Sequence, residues 1–200
     1  MSTIKLFDRW SFDGIKVDDG GLQRYVTLTP VIVPKTGGRY THTRFHKSHV
    51  NIVERLINKV MVTGHRSKKH IITSGQHTGK GNKAMHIVEE AFEIIESKTN
   101  KNPIAVFVKA LEKSSPREEI IAIEYGGARY PKSVEVAPQR RVDLTLRYMT
   151  QGAFHKCFNT KKTMAQALAD EILAAESNNA QVSNALAKKN ELERQADSSR

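Results

Sequence analysis

The stretch IAIEYGGARYPKSVEVAPQRRVDLTLRYM, residues 121–149, joins two structural signals and decides the fold class. Apolar and polar residues alternate on both sides of Gly126-Gly127, which predicts a two-stranded β-hairpin over about 119–136. Pro131 has no backbone N–H to donate, so its strand must be an edge strand, as both strands of an isolated hairpin are. Pro138 then opens a helix predicted over 138–151, because proline is favoured at the first helical position.

The predicted helix over 138–151 has two contrasting faces. The apolar face is expected to be buried and holds Val142, Leu146, Met149 and Ala153. The opposite face combines basic, polar and aromatic side chains: Arg140, Arg141, Leu144, Arg147, Tyr148 and Gln151. Arginines interleaved with a tyrosine suit phosphate groups and stacked bases, although the same composition also suits an ordinary solvated face.

Helical periodicity recurs on both sides of this stretch. Apolar residues spaced three and four apart predict further helices over about 50–62, 81–97, Asn102-Pro103 to Ser114, 163–177 and about 181–197. Ser48 is the expected N-cap of the first of them. The predicted fold class is therefore mainly α: a bundle of about six helices with a projecting two-stranded β-hairpin.

Residues 1–48 lack sustained periodicity and are interrupted by glycines and prolines. We expect them to form a basic N-terminal arm that is partly irregular, followed by a helical domain over 49–200. Arms of this kind often become ordered only when they bind nucleic acid.

The net charge of +11 is concentrated in two blocks. Residues 35–84 hold eleven Lys and Arg against one Glu, and residues 137–162 hold six against one Asp. Blocks of one sign repel themselves, so a polyanionic partner explains them better than a solvated basic surface does. The acidic face of the helix over 81–97 is expected to point away from that partner and holds Glu89, Glu90, Glu93 and Glu96.

Several other classes of protein and site are excluded by what the sequence lacks. No run of about eighteen apolar residues predicts a membrane helix, and the single cysteine, Cys157, cannot form an internal disulfide. Residues 75–81 (GQHTGKG) have the wrong spacing for a phosphate-binding loop, and the histidines at 42, 46 and 49 lack a neighbouring Cys or carboxylate for a metal. No catalytic residue, metal site or cofactor is therefore predicted, and the absence of a secretory signal leads us to expect a cytoplasmic protein.

Five segments carry a family resemblance in their order along the chain: VERLINKVM (53–61), GKGNKAMHIVEEAF (79–92), NPIAVFVKAL (102–111), GGARYP (126–131) and VEVAPQRR (134–141). With these segments the chain resembles the universal S-seven family of small-subunit ribosomal proteins. Its ending, residues 188–200, resembles the archaeal and eukaryotic branch of that family. Two features depart from the pattern: Gly81 stands where the family has a basic residue, and the spacing from Met61 to Gly79 is long, which makes 65–74 a basic insertion.

The resemblance implies a structural, non-enzymatic protein that binds the 3′ major domain of small-subunit rRNA and nucleates assembly of the subunit head. It further implies a place on the ribosome near the decoding centre and the exit-site tRNA, with the hairpin directed toward that tRNA. Neighbouring head proteins would be further partners. The positions that match the family's basic motifs are Gly79, Lys80, Lys83, Gly126, Gly127, Arg129, Tyr130, Arg140 and Arg141.

The residues predicted to bind RNA are sixteen basic side chains and one tyrosine: Lys35, Arg39, Arg44, Lys47, Arg66, Lys68, Lys69, Lys80, Lys83, Arg129, Lys132, Arg140, Arg141, Arg147, Tyr148, Lys161 and Lys162. We expect them to share one side of the bundle. One alternative is a DNA-binding helix-turn-helix regulator, which the spread of basic residues over four elements disfavours. The other is an RNA-processing enzyme, which the lack of an acidic metal-binding cluster disfavours.

Overall fold

The computed structural model describes residues 4–62, 64–66, 71–73 and 75–200, without the side chains of Arg39, Tyr40 and Arg66. Within this part of the chain six α-helices are present: α1 (Ile52–Val60), α2 (Gly81–Thr99), α3 (Pro103–Ser114), α4 (Pro138–Cys157), α5 (Met164–Glu176) and α6 (Asn184–Asp197). The strands form three antiparallel pairs: β1 (Lys5–Leu6) with β2 (Trp10–Ser11), β3 (His65–Arg66) with β4 (Ile71–Ile72), and β5 (Glu118–Tyr125) with β6 (Ala128–Glu135). The predicted fold class, mainly α with one long β-hairpin, is confirmed.

Helix boundaries follow local capping chemistry. The N-cap of α1 is Asn51, whose side chain accepts a hydrogen bond from the backbone N–H of Val53. The prediction of Ser48 as N-cap is wrong, because Ser48 lies in the preceding 3-10 turn and donates its hydroxyl to the Phe45 carbonyl. The N-cap of α3 is Asn102, as its sequence predicted.

Helix α5 lies at the centre of the bundle, where it packs against α2, α3 and α4. It is rich in alanine, and small side chains let neighbouring helices approach it closely. Leu168 and Ile172 are fully buried in the common core, together with the predicted apolar face of α4 (Val142, Leu146, Met149 and Ala153). The prediction of that face is confirmed.

Helix α4 continues to Cys157, beyond its predicted end at 151, and a buried carboxylate ties its C-terminal half to α6. Glu171 is fully buried, and it accepts hydrogen bonds from the Ser183 hydroxyl (2.9 Å) and the Ala185 backbone N–H (3.0 Å). It also pairs with Lys156 of α4 at 2.6 Å. The Glu171 carboxylate therefore accepts hydrogen bonds from the start of α6 and also neutralises Lys156 of α4.

The N-terminal segment is the part of the chain that precedes α1, residues 4–50, and its first half packs on the helices instead of extending away from them. Its apolar side chains belong to the same core as the helices: Leu6, Trp10, Phe12, Leu22 and Val26. Trp10 donates its indole N–H to Glu96, and Arg9 pairs with Glu93, so this segment covers part of the acidic face of α2. Residues of the predicted N-terminal arm, from Leu6 to Val26, therefore share one core with the helices.

The β5–β6 hairpin is braced at its base. One guanidinium nitrogen of Arg200 donates to both carboxylate oxygens of Glu118, and Arg140 of α4 forms a bidentate pair with Glu119. Residues 121–132, beyond this base, are exposed on both faces. Pro131 faces Ala122 and lacks an N–H, which a two-stranded hairpin tolerates because each strand is an edge.

A Gly152→Ala substitution tests the packing of α4 on α6. A Cβ at Gly152 would lie 2.6 Å from the Asn184 Cβ and 3.2 Å from the Glu171 carboxylate. Alanine normally stabilises a helix relative to glycine, but overpacking here is expected to lower the free energy of unfolding by about 1–3 kcal/mol. Urea denaturation followed by circular dichroism measures it.

The matched control is Gly81→Ala at the start of α2, where a Cβ would meet only the Met61 sulfur at an ordinary 3.5 Å. We expect this variant to be at least as stable as the wild type. Equal stability of the two variants would contradict the described contact between α4 and α6.

Candidate nucleic-acid interface

A basic groove of about 780 Å³ lies between the second 3-10 turn (His46–His49), α1 and α4. Its cationic lining comes from three separate stretches of sequence: Arg44, Lys47, Lys59, Arg140 and Arg147. The fold therefore brings residues of the first charge block against those of the second. We call this the central groove.

Asp143 holds the walls of the central groove together. Its carboxylate pairs with Lys47 on one side and with Arg55 on the other, at 3.2 Å. Arg55 is only 4% exposed and also donates to the Tyr25 carbonyl. Burial raises the pKa of Asp143, but the hydrogen bond from Lys47 and the charge of Arg55 outweigh it, and the net pKa lies below its usual value.

Lys59 is a groove residue that is absent from the residues predicted to bind RNA. The fold places it with Lys47 and Arg147 in the lining of the central groove and of a contiguous groove that also contains His65. Burial lowers the pKa of Lys59; the nearby Asp143 opposes this, and the positive charges of Arg147, Lys47 and Arg55 add to it. The lowered pKa of Lys59 therefore reflects mainly its burial in the groove wall, with a smaller part from neighbouring cations.

A second groove of about 690 Å³ lies at the N-terminus of α2, and we call it the α2 groove. Three predicted residues line it: Lys35, Lys80 and Lys83. Lys35 donates to Asn82 at 3.2 Å, and the adjacent Thr36 is fixed by two hydrogen bonds to the buried Glu54 of α1. Among the described residues no side chain caps this helix start, and the Gly81 N–H donates to the Gly79 carbonyl at 3.0 Å.

The α2 groove and the central groove meet across α1. Asn58 lines the α2 groove and also the groove shared by Lys59 and Arg147. His77, next to the lysines of the α2 groove, has its pKa lowered by burial and by the charges of Lys83 and Lys80. Basic side chains therefore line a series of adjoining grooves from the start of α2 to α4, with Glu54 and Asp143 among them as acidic residues.

Comparison with known proteins identifies the family. The family model described as Ribosomal protein S7p/S5e matches residues 22–200. The chain belongs to the S7p/S5e family of ribosomal proteins.

The similarity also extends across the N-terminal segment. The small ribosomal subunit protein uS7 of Nanoarchaeum equitans is 48% identical over 98% of this chain and 99% of its own length. The uS7 proteins of Methanosphaera stadtmanae (49% identical, 97% of each chain) and Methanococcus maripaludis (46% identical, 98% of this chain and 99% of its own) are similarly related. S7p/S5e proteins are non-enzymatic components of the small ribosomal subunit, and the predicted family is confirmed.

Two adjacent arginines of this S7p/S5e chain have different environments. Arg140 is exposed beside the central groove, where its guanidinium also pairs with Glu119 at 2.8 Å. Arg141 is 8% exposed and donates to the Pro116 carbonyl, to Ser115 and to Asp19. The prediction that Arg141 lies on the exposed face is wrong. Its guanidinium donates hydrogen bonds to the turn before the hairpin, at Ser115 and Pro116, and anchors the N-terminal segment through Asp19.

Two further residues were assigned to the wrong part of the α4 face. Leu144 is 6% exposed, although it reaches the floor of the central groove, and Tyr148 is half-buried against the core. The helical wheel located the apolar stripe correctly but made it too narrow, because the N-terminal segment and α1 also cover α4. Arg147, in contrast, is exposed as predicted.

Four further predicted residues whose side chains the structure describes do not line these grooves: Arg129, Lys132, Lys161 and Lys162. On the hairpin, Arg129 and Lys132 are exposed but face opposite sides of the ribbon, Arg129 beside Glu124 and Lys132 opposite Ile121. Lys161 and Lys162 lie between α4 and α5, where Lys162 pairs with Asp170. Lys68 and Lys69 lie outside the described residues, and of Arg39 and Arg66 only the backbone is described.

The described part of the chain shows no arrangement of side chains suited to a metal site or to a reactive thiol. No group of three His, Cys, Asp or Glu side chains converges there as a metal site would. Burial raises the pKa of the Cys157 thiol, which opposes formation of a reactive thiolate. A separate search of the same residues finds no helix that is both long and apolar enough to span a bilayer.

An Asp143→Asn substitution tests the carboxylate that holds the central groove. Removing the anion leaves Arg55 buried with less compensation, so the free energy of unfolding is expected to fall by about 2–3 kcal/mol at about pH 7. The lowered pKa means that this contribution is present above the unfolded pKa of about 3.9 and is lost as the pH falls through the folded pKa. The wild-type advantage should therefore shrink steadily below about pH 4 in urea titrations.

Asp197→Asn is the matched control, because Asp197 pairs with Arg200 on the exposed surface. Its effect should stay under about 0.5 kcal/mol at every pH tested. A pH-independent difference between Asp143→Asn and the wild type would refute the assigned ion pairs.

Proposed function

We propose that this protein is a primary binder of the 3′ major domain of small-subunit rRNA, where it nucleates assembly of the subunit head. The observation that carries the proposal is the basic surface formed by the α2 groove, the central groove and the groove that links them. Phosphates of folded RNA would neutralise it through Lys35, Lys80 and Lys83 at one end and Lys47, Lys59, Arg44, Arg140 and Arg147 at the other. Family membership and the names of the archaeal relatives, small ribosomal subunit protein uS7, support this assignment.

The structure of the surface favours recognition of shape over base sequence. Its cations come from an N-terminal segment, α1, α2 and α4, and no single recognition helix carries them. Two carboxylates, the buried Glu54 and the partly buried Asp143, fix the basic part of the N-terminal segment against α1 and α4. A rigid basic surface of this kind matches one arrangement of phosphates better than others.

The hairpin would bind a second partner. Its exposed part carries Ile121, Ile123 and Tyr125 on one strand and Tyr130 on the other. In this proposal the hairpin reaches toward the exit-site tRNA near the decoding centre, and neighbouring head proteins contact the remaining surface. Arg129 and Lys132, on opposite faces of the ribbon, would supply cations to partners on either side.

Removing a groove cation tests the proposal. Arg147→Ala and Lys59→Ala are each expected to weaken binding of a transcript of the rRNA 3′ major domain. Each lost phosphate contact should also reduce the slope of log affinity against log salt by about one. Fluorescence anisotropy at several KCl concentrations measures both quantities.

Lys109→Ala on α3 is the matched control, because Lys109 is exposed but lines neither groove. It should retain wild-type affinity and salt slope. If duplex DNA of equal length displaces the transcript at equal concentration, the rRNA proposal fails in favour of general nucleic-acid binding. If the groove variants and Lys109→Ala behave alike, the surface is wrongly assigned.

A further inference from the structure

A smaller groove of about 510 Å³ adjoins the central groove beside the start of α4. Its lining includes four residues with cationic or titratable nitrogen groups, one exposed aromatic ring and one amide: Arg24, Arg44, His46, His49, Phe45 and Gln139. Arg44, Phe45 and Gln139 line the central groove as well, so the two are continuous. We call it the Phe45 groove.

Phe45 is held in an unfavourable conformation with its ring directed outward. Its side chain is 64% exposed, and its φ of 62° lies in the left-handed region. A bulky residue in that region costs about 1–3 kcal/mol, which surrounding structure must offset. An exposed aromatic ring gains no burial energy to offset this cost, so the residues packed beneath Phe45 must impose its conformation.

The restraint on Phe45 comes from the buried Ser48. The Ser48 hydroxyl donates to the Phe45 carbonyl at 2.9 Å, and the Ser48 carbonyl accepts a hydrogen bond from the Thr27 hydroxyl at 2.7 Å. The N-terminal segment therefore fixes the turn that presents Phe45. Such preorganisation reduces the entropy lost when a ligand binds.

The surroundings of the ring are cationic and aromatic. The Arg44 guanidinium lies 4.7 Å from the centre of the Phe45 ring, within cation–π distance, and the rings of His46 and His49 are 5.5 Å apart. Among the described residues that line the Phe45 groove there is no Asp or Glu. An aromatic face beside arginines, without acidic residues, is complementary to a base that remains attached to its phosphate.

We propose that Phe45 is a stacking platform for one unpaired base of the bound RNA. The base would lie on the phenyl ring, Arg44 and Arg24 would neutralise the adjoining phosphates, and the Gln139 amide would be available to the base edge. This inference rests on the proposed function, because the strand that delivers the base must follow the central groove. It adds a contact that recognises an unpaired nucleotide to a surface that otherwise recognises phosphates.

A series of substitutions at Phe45 separates stacking from apolar contact. Phe45→Leu keeps apolar bulk but removes the aromatic face, and it should weaken binding of the 3′ major-domain transcript by about ten- to a hundred-fold. Because Phe45 carries no charge, the salt slope should stay at the wild-type value. Phe45→Trp should bind about as tightly as the wild type.

Phe45→Trp also gives a direct signal. The one native tryptophan, Trp10, is buried, so added fluorescence in this variant reports position 45. Stacking on a base should quench that added emission when the transcript binds, while wild-type emission changes little. Far-UV circular dichroism of each variant confirms that the helices are retained.

The outcomes distinguish this inference from the function on which it rests. If Phe45→Leu binds like the wild type while Arg147→Ala weakens binding, the stacking platform is refuted and the phosphate surface stands. Tryptophan emission unchanged by the transcript refutes it as well, and would point to a protein partner for the ring. If neither Phe45→Leu nor Arg147→Ala affects binding, the proposed RNA surface itself fails.

Discussion

The central constraint on this molecule is that its fold brings like charges together and must compensate part of them internally. Asp143 does so, because one carboxylate lies between Lys47 of the N-terminal segment and Arg55 of α1. It offsets part of the charge of these two cations, while Arg147 and Lys59 line the same groove. Burial is the main cause of the lowered pKa of Lys59, and the charges of Arg147, Lys47 and Arg55 add to it against the opposing charge of Asp143. A bound polyanion would offset the remaining positive charge, so the same excess of positive charge opposes folding and favours binding.

Much of the fold could be predicted from sequence, because its signals are local. The apolar stripe of α4, the Asn102-Pro103 start of α3 and the Gly126-Gly127 hairpin each depend on neighbours within a few residues. The N-terminal segment could not be predicted in this way. Leu6 and Trp10 follow no helical or strand period, and their burial depends on partners about ninety residues away, such as Glu96 for Trp10. Pairings at that separation leave no pattern in the sequence.

The candidate site, like the fold, could be predicted from the sequence only in part. Segregated charge correctly indicated which blocks would form the surface, since repulsion within a block is visible in the sequence. The roles of individual residues were not visible: Arg140 and Arg141 are neighbours, but one is exposed and the other is buried against Pro116 and Asp19. Lys59 was missed because its face of α1 becomes a groove wall only when α4 packs beside α1 in the tertiary structure.

The base of the β5–β6 hairpin has a mechanical consequence. Its ion pairs with Arg140 of α4 and with the C-terminal Arg200 are made through Glu119 and Glu118, at one end of two eight-residue strands. Each strand is about 26 Å long at about 3.3 Å per residue. The ribbon therefore acts as a lever whose fulcrum lies at those two carboxylates: a tilt of about five degrees there displaces the Gly126-Gly127 tip by about 2 Å. Small changes in the ion pairs of Arg140 and Arg200 would thus be amplified into movement far from the bundle.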